Sequence, residues 1–107
     1  MPQNRYRRRM TRQEAMTKLA GQAEAVKALG ATSLYLFGST AQDAARDDSD
    51  VDLFMDYDPD SRFSLLDLVG IKLLLEDHLG VAVDVTTRNS LDPLLKSRIE
   101  AAAMRIF

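Results

Sequence analysis

Hydrophobic positions recur along this chain at two spacings, one close to 3.6 and one equal to 2, and the alternation between them predicts the order of elements. Thr11-Arg12-Gln13-Glu14 has the form of a capping box. Ala15, Leu19, Ala23, Val26 and Leu29 follow at helical spacing until Gly30, which predicts one helix over that stretch. Ser33 to Phe37 is a short apolar run closed by Gly38 and reads as a buried strand. Thr40 to Ala45 suits one or two helical turns with Ser39 as N-cap, followed by a polar loop through Ser49.

From Asp50 the period becomes two. Val51, Leu53, Met55 and Tyr57 fall on one face of a second strand and Asp50, Asp52, Phe54 and Asp56 on the other. Asp58-Pro59-Asp60-Ser61 ends it. Ser64 with Asp67 opens a long helix whose Leu65, Leu68, Ile71, Leu75 and Leu79 form the expected buried stripe before Gly80. Val81, Val83 and Val85 alternate with Ala82, Asp84 and Thr86 in a third strand. Ser90 is the expected cap of a final helix, with Pro93 in its first turn and Leu94, Leu95, Ile99, Ala102 and Ile106 facing inward. The fold class expected from this order is α/β (α+β), a small mixed sheet of about three strands with helices packed on it. Residues 1–10 show no apolar period and read as a flexible basic arm ahead of a folded domain over 11–107.

Composition narrows the class. The chain has 107 residues, 46% of them hydrophobic and 28% charged, which suits one small globular domain rather than a multidomain machine or a disordered tail. Cysteine is absent, so disulfides, thiol nucleophiles and zinc knuckles are excluded. No apolar run reaches the ~18 residues of a membrane span, and the Arg-rich start lacks the apolar segment of a signal peptide, so the cytoplasm is the expected compartment. The formal net charge of −2 conceals a strong asymmetry. Arg5, Arg7, Arg8, Arg9 and Arg12 fall in a stretch without acids, whereas eight acids lie between Asp43 and Asp60. So much like charge in one stretch needs good solvation or a cation among the carboxylates.

Asp50 and Asp52 leave one strand face two residues apart, and Asp84 on the third strand is placed to join them. An oxygen-only set of this kind suits Mg²⁺ or Mn²⁺, and two such ions support in-line displacement at phosphorus. On spacing alone, the pair reads equally as a solvated strand end. Gly38-Ser39 tips the balance, since a glycine leaving a buried strand admits close approach of a ligand and a serine at a helix start offers N–H groups and a hydroxyl to phosphate.

Taken together, Gly38-Ser39, ten residues from Thr40 to Ser49, and Asp50-Val51-Asp52 resemble the signature of the nucleotidyltransferase superfamily that includes DNA polymerase beta. The chain looks most like the minimal nucleotidyltransferases (MNT) of prokaryotes, over roughly residues 11–107. The resemblance implies a nucleotidyltransferase fold, with Asp50 and Asp52 binding two Mg²⁺ ions and Asp84 completing a catalytic carboxylate triad. Gly38 and Ser39 would hold the phosphates of ATP. It further implies an antitoxin that transfers AMP to a small helical toxin partner of the HEPN class, in a hetero-oligomer. One departure stands out: the family pattern Gly-Ser-x-Ala-Arg-Gly reads Gln42-Asp43 after Ala41 here. Loss of a cation and gain of an acid weaken the expected triphosphate site, with Arg46 as partial compensation. This keeps open a second reading, an antitoxin that neutralises its partner by binding alone. The length leaves no second domain for acceptor recognition, so the acceptor is expected to be held by surface contact.

Other readings of the same residues do less well. Asp48-x-Asp50-x-Asp52 and Asp56-x-Asp58-x-Asp60 imitate the start of a calcium loop, but Leu53 or Ser61 stands at the sixth position in place of Gly, and Pro59 or Asp67 at the twelfth in place of Glu. His78 is the only histidine, which excludes a His-based zinc site, and its place near a helix end suits a structural role. Tyr35 and Tyr57 read as packing residues. The Arg5–Arg12 cluster could contact nucleic acid or an acidic protein, clamp the acidic loop, or be a solvated tail, the last being favoured over nucleic-acid binding.

Overall fold

The computed structural model describes residues 10–46 and 50–107. The basic arm of residues 1–10 lies, apart from Met10, outside the described residues, as do Asp47, Asp48 and Ser49. The chain forms α1 (Arg12–Ala20), α2 (Ala23–Ala28), β1 (Ala31–Phe37), α3 (Gly38–Ala41), β2 (Val51–Tyr57), α4 (Leu65–Leu79), β3 (Val83–Thr87), α5 (Lys96–Ala102) and β4 (Met104–Arg105), with a 3₁₀ turn at Arg88–Ser90. No helix among the described residues is long and apolar enough to cross a membrane.

The capping box forms as expected: the Glu14 amide donates to Thr11 Oγ1 and the Thr11 amide to Glu14 Oε1, each at 3.1 Å. The single helix expected as far as Leu29 is instead two. Gln22 leaves helical geometry at φ −105°, ψ 8°, next to Gly21, the weakest helix former after proline. The break does not cost the core its contacts, because Ala15, Leu19 and Val26 are all fully buried.

The sheet has four strands in the order β3-β2-β1-β4, one more than expected. β1 and β2 are antiparallel, with Leu34 opposite Met55, Leu36 opposite Leu53 and Phe37 opposite Asp52. α4 carries the chain over the sheet so that β3 runs parallel to β2, with Val51 beside Val83 and Asp52 beside Asp84. One sheet face, bearing Leu34, Leu36, Leu53, Met55 and Val83, forms the core with Ala15, Leu19, Val26, Ile71 and Leu75 from the helices.

The extra strand comes from the expected last helix. Ser90 lies in the 3₁₀ turn, where its hydroxyl meets that of Thr87 at 2.9 Å, and caps nothing longer. Pro93 disfavours helical geometry in the residue before it, and α5 starts only at Lys96. Leu94 and Leu95 are therefore exposed rather than inward. After Ala102 the chain extends, and β4 covers the free edge of β1: the Leu34 amide donates to the Phe107 carbonyl at 3.1 Å and the Ile106 amide to the Leu34 carbonyl at 2.8 Å. Leu65 is likewise no part of the buried stripe, being 74% exposed at the first position of α4, while Ile71, Leu75 and Leu79 are buried.

The outer edge of β3 is closed by side chains of α4. Glu76 accepts the Val83 amide and Lys72 donates to the Val83 carbonyl, both at 2.9 Å, and the two form an ion pair at 2.8 Å. Peptide groups that would template another strand are thereby satisfied.

On the sheet face away from α4, Arg88 makes a two-pronged ion pair with Asp56, at 2.8 and 2.9 Å, and reaches Glu100 of α5 at 2.7 Å. Its guanidinium lies 4.9 Å from the rings of both Tyr35 and Phe54, which stack on each other at 4.7 Å. Arg88 holds the Asp56 carboxyl below the usual carboxylate range. The contribution of this pair is therefore present above the unfolded pKa of Asp56 and fades as pH falls through the lowered folded value. Replacing Arg88 with Met should cost about 2 kcal/mol at pH 7, between an exposed pair and a buried network. Urea melts should show the gap to wild type closing below about pH 4, where both carboxylates protonate.

Candidate active site

The register brings the two halves of the sequence pattern to one end of the sheet. Phe37 pairs with Asp52, and Asp52 pairs with Asp84, so three neighbouring strands place these residues in one row. Gly38 leaves β1 directly after the row, and Asp50 immediately precedes β2. Adjacent strands lie about 4.8 Å apart, so the Asp52 and Asp84 carboxylates start as neighbours on one face.

Gly38 adopts φ +76°, open to glycine at little cost. A Cβ at this position would run into the Asp52 carboxylate, with Asp52 Oδ2 its nearest neighbour. The glycine is thus required twice, by its own backbone and by the acid two strands' width of sequence away. Phe37, not Ser39, is the N-cap of the one-turn helix α3; Ser39 is its second residue. The first amides of such a turn have no intrahelical acceptors. Thr40 is buried and its hydroxyl has no partner among the described residues, a cost of about 1–3 kcal/mol in a turn built for stability alone.

Among the three acids, Asp50 and Asp84 are exposed and Asp52 is half-buried. Burial, then the charge of Asp84, then that of Asp50, push the Asp52 carboxyl up to about 6. Among the described residues no donor or cation pairs with it. An all-oxygen set of this kind suits a hard divalent ion. No three His, Cys, Asp or Glu side chains among the described residues are gathered closely enough to hold an ion by themselves.

The nucleotidyltransferase domain family matches residues 19–106, a span that contains the glycine turn and all three acids. The chain belongs to this family. A Methanocaldococcus jannaschii protein named as a protein adenylyltransferase is 47% identical over 64 residues, 60% of this chain and 67% of that one. A solved structure described as a minimal nucleotidyltransferase superposes with a TM-score of 0.67 at 35% identity, covering 83% of this chain and 93% of that chain. The fold also recurs, at 15% identity and a TM-score of 0.63, in the complex of a tri-AMPylated Shewanella oneidensis HEPN toxin with its MNT antitoxin, over 91% of this chain and 72% of that one.

Within the nucleotidyltransferase domain, the departure at 42–43 acquires a structural explanation. Asp43 has φ +57°, the left-handed region, at the position where the family pattern has glycine. Its carboxylate accepts the Arg12 amide at 2.9 Å and so caps the start of α1, while the Arg12 guanidinium donates to the Ala41 carbonyl at 3.4 Å. The extra acid is occupied with a helix start. Gln42 remains exposed and uncharged. Asp43 and Arg12 were not identifiable as partners from sequence, being 31 positions apart; the family glycine was the only available signal of the left-handed backbone.

The folded-state pKa of Asp52 lies above its unfolded value, so the native nucleotidyltransferase binds this proton more tightly. Stability present below about pH 4 should be lost as pH rises through about 6. In buffer containing a chelator, Asp52→Asn should unfold like wild type at pH 4. At pH 8 it should be more stable by about 1 kcal/mol, once solvent screening of a half-exposed group is allowed for.

Proposed function

We propose that this nucleotidyltransferase transfers AMP from ATP to a hydroxyl of a protein acceptor, a small helical toxin of the HEPN class, and so acts as its antitoxin. The observation that carries the reading is the close fit of Gly38 against Asp52, itself paired with Asp84: a phosphate-accessible turn and an under-neutralised acid group share one end of the sheet. The family match and the adenylyltransferase names of its relatives support the reaction class. The fold shared with the MNT antitoxin complex supports the partner class.

In this reading, Asp50, Asp52 and Asp84 would hold Mg²⁺, with Mn²⁺ as a substitute. Bound there, the metal would supply charge stabilisation at the phosphoryl oxygens. Because Mg²⁺ commonly takes one or two carboxylates together with substrate phosphates, the three acids need not form a closed cage on their own. Gly38 leaves room for the triphosphate to approach the strand ends, and the amides and hydroxyl at Ser39 bind its oxygens. The acceptor oxygen attacks the α-phosphorus, the bond to pyrophosphate breaks, and the hydroxyl proton passes to Asp84, exposed on the edge strand. The neutralisation-by-binding reading draws on Gln42, which leaves the phosphate turn without the family's cation.

The test uses α-labelled ATP, Mg²⁺ and a HEPN-class protein encoded beside this chain. Label should move to that protein and fall by about 10²-fold or more with Asp50→Asn or Asp52→Asn, the loss of several kcal/mol of metal-borne stabilisation. Neutralisation of the toxin that survives both substitutions would instead establish binding alone.

A further inference from the structure

Helix α4 has a second apolar face that the fold does not use. Leu65, Leu66, Val69 and Leu73 are 74%, 82%, 42% and 58% exposed. At 3.6 residues per turn they occupy an arc of about 100°, roughly opposite the buried Ile71. A contiguous apolar stripe of this kind marks an interaction surface more often than scattered leucines do.

Gly70 stands in the middle of this stripe. It lies well inside a helix of 15 residues, where glycine costs about 1 kcal/mol relative to alanine, and a Cβ built on it would meet nothing within 4 Å. No contact within the chain therefore requires glycine here. A close approach from outside the chain does account for it, because the separation of two packed helices is set by the side chains at their crossing.

We propose that this face binds a second copy of the same chain, with the two α4 helices antiparallel and crossing between Val69 and Gly70. The pattern is self-complementary about that point. Leu66 and Leu73 lie equally far on either side and near the middle of the arc, so each Leu66 meets the other copy's Leu73, twice over. Gly70 meets Gly70 at the crossing and lets the backbones close in. Arg62 and Asp77 are also equidistant from the centre, about 11 Å along the axis in each direction. Both are exposed and neither has a partner among the described residues, so the antiparallel arrangement sets an opposite charge at each end. A parallel pair would instead place Arg62 against Arg62 and Asp77 against Asp77. Such an isologous contact closes on itself as a dimer with a two-fold axis. It lies outside the Asp52 row and needs neither nucleotide nor toxin.

Sedimentation equilibrium of the full chain alone, from about 1 µM to 1 mM, should show the mass rising from the 12.0 kDa of one copy toward twice that value. Leu66→Gln and Leu73→Gln should each weaken the dimer by tenfold or more. Gly70→Leu should weaken it as strongly without lowering the melting temperature, because the added side chain meets nothing in its own copy. Arg62→Asp and Asp77→Arg should each weaken it a few-fold, and the two combined should restore it. A monomer throughout the range overturns the proposal, and so does a dimer indifferent to Gly70→Leu and to the charge swap. A chain that stays monomeric while Leu66→Gln abolishes toxin neutralisation would assign the stripe to the toxin and likewise overturn it.

Discussion

The pairing of β2 with a strand on each side is the constraint on which the rest of the molecule depends. Antiparallel pairing with β1 sets Phe37 against Asp52, and parallel pairing with β3 sets Asp52 against Asp84. Because side chains alternate across a sheet, a slip of one residue in either pairing would turn Asp52 into the core and Leu53 or Val51 out of it. The apolar face thus enforces the register, and the register aligns the acids. What serves stability on one face of β2 determines the position of chemistry on the other.

That second face is only partly open. Near Asp52 it is bare enough for a carboxylate to remain half-exposed. Two residues on, Phe54 is completely buried under Tyr35 and the Arg88 guanidinium, and Asp56 is tied to the same arginine. A strand that reads as polar on this side is in effect divided into a reactive start and a sealed remainder. The seal is built from charge and aromatic stacking and fastens α5 through Glu100. It also explains how a helix with no buried residue of its own is held against the sheet.

Much of this was legible in the chain. Alternation in Val51–Tyr57 and Val83–Thr87 and the helical period of Ala15–Leu19 and Ile71–Leu79 are strong because each segment has one face in a single core. The acid pair and the glycine turn were legible as types at a spacing. Other features left no such trace. A two-residue strand such as β4 has no period to detect, so Ala102–Ile106 continued the helical pattern on paper. Leu65, Leu94 and Leu95 looked like core because hydrophobicity does not say which side of an element is covered. The partners of Arg88 lie 32 and 12 positions away, and only the fold makes them neighbours.

The sequence by itself therefore determined the element types, the sheet's apolar face and the identity of the acids, since these follow from local periodicity and from the chemistry of side chains. The tertiary structure decided which groups meet. It brought Asp52 against Gly38 and beside Asp84, raised its proton affinity through burial and like charge, turned Asp43 away to cap α1, and left one face of α4 uncovered. Each of these depends on distances between segments far apart in the chain, and such distances exist only once the strands have paired.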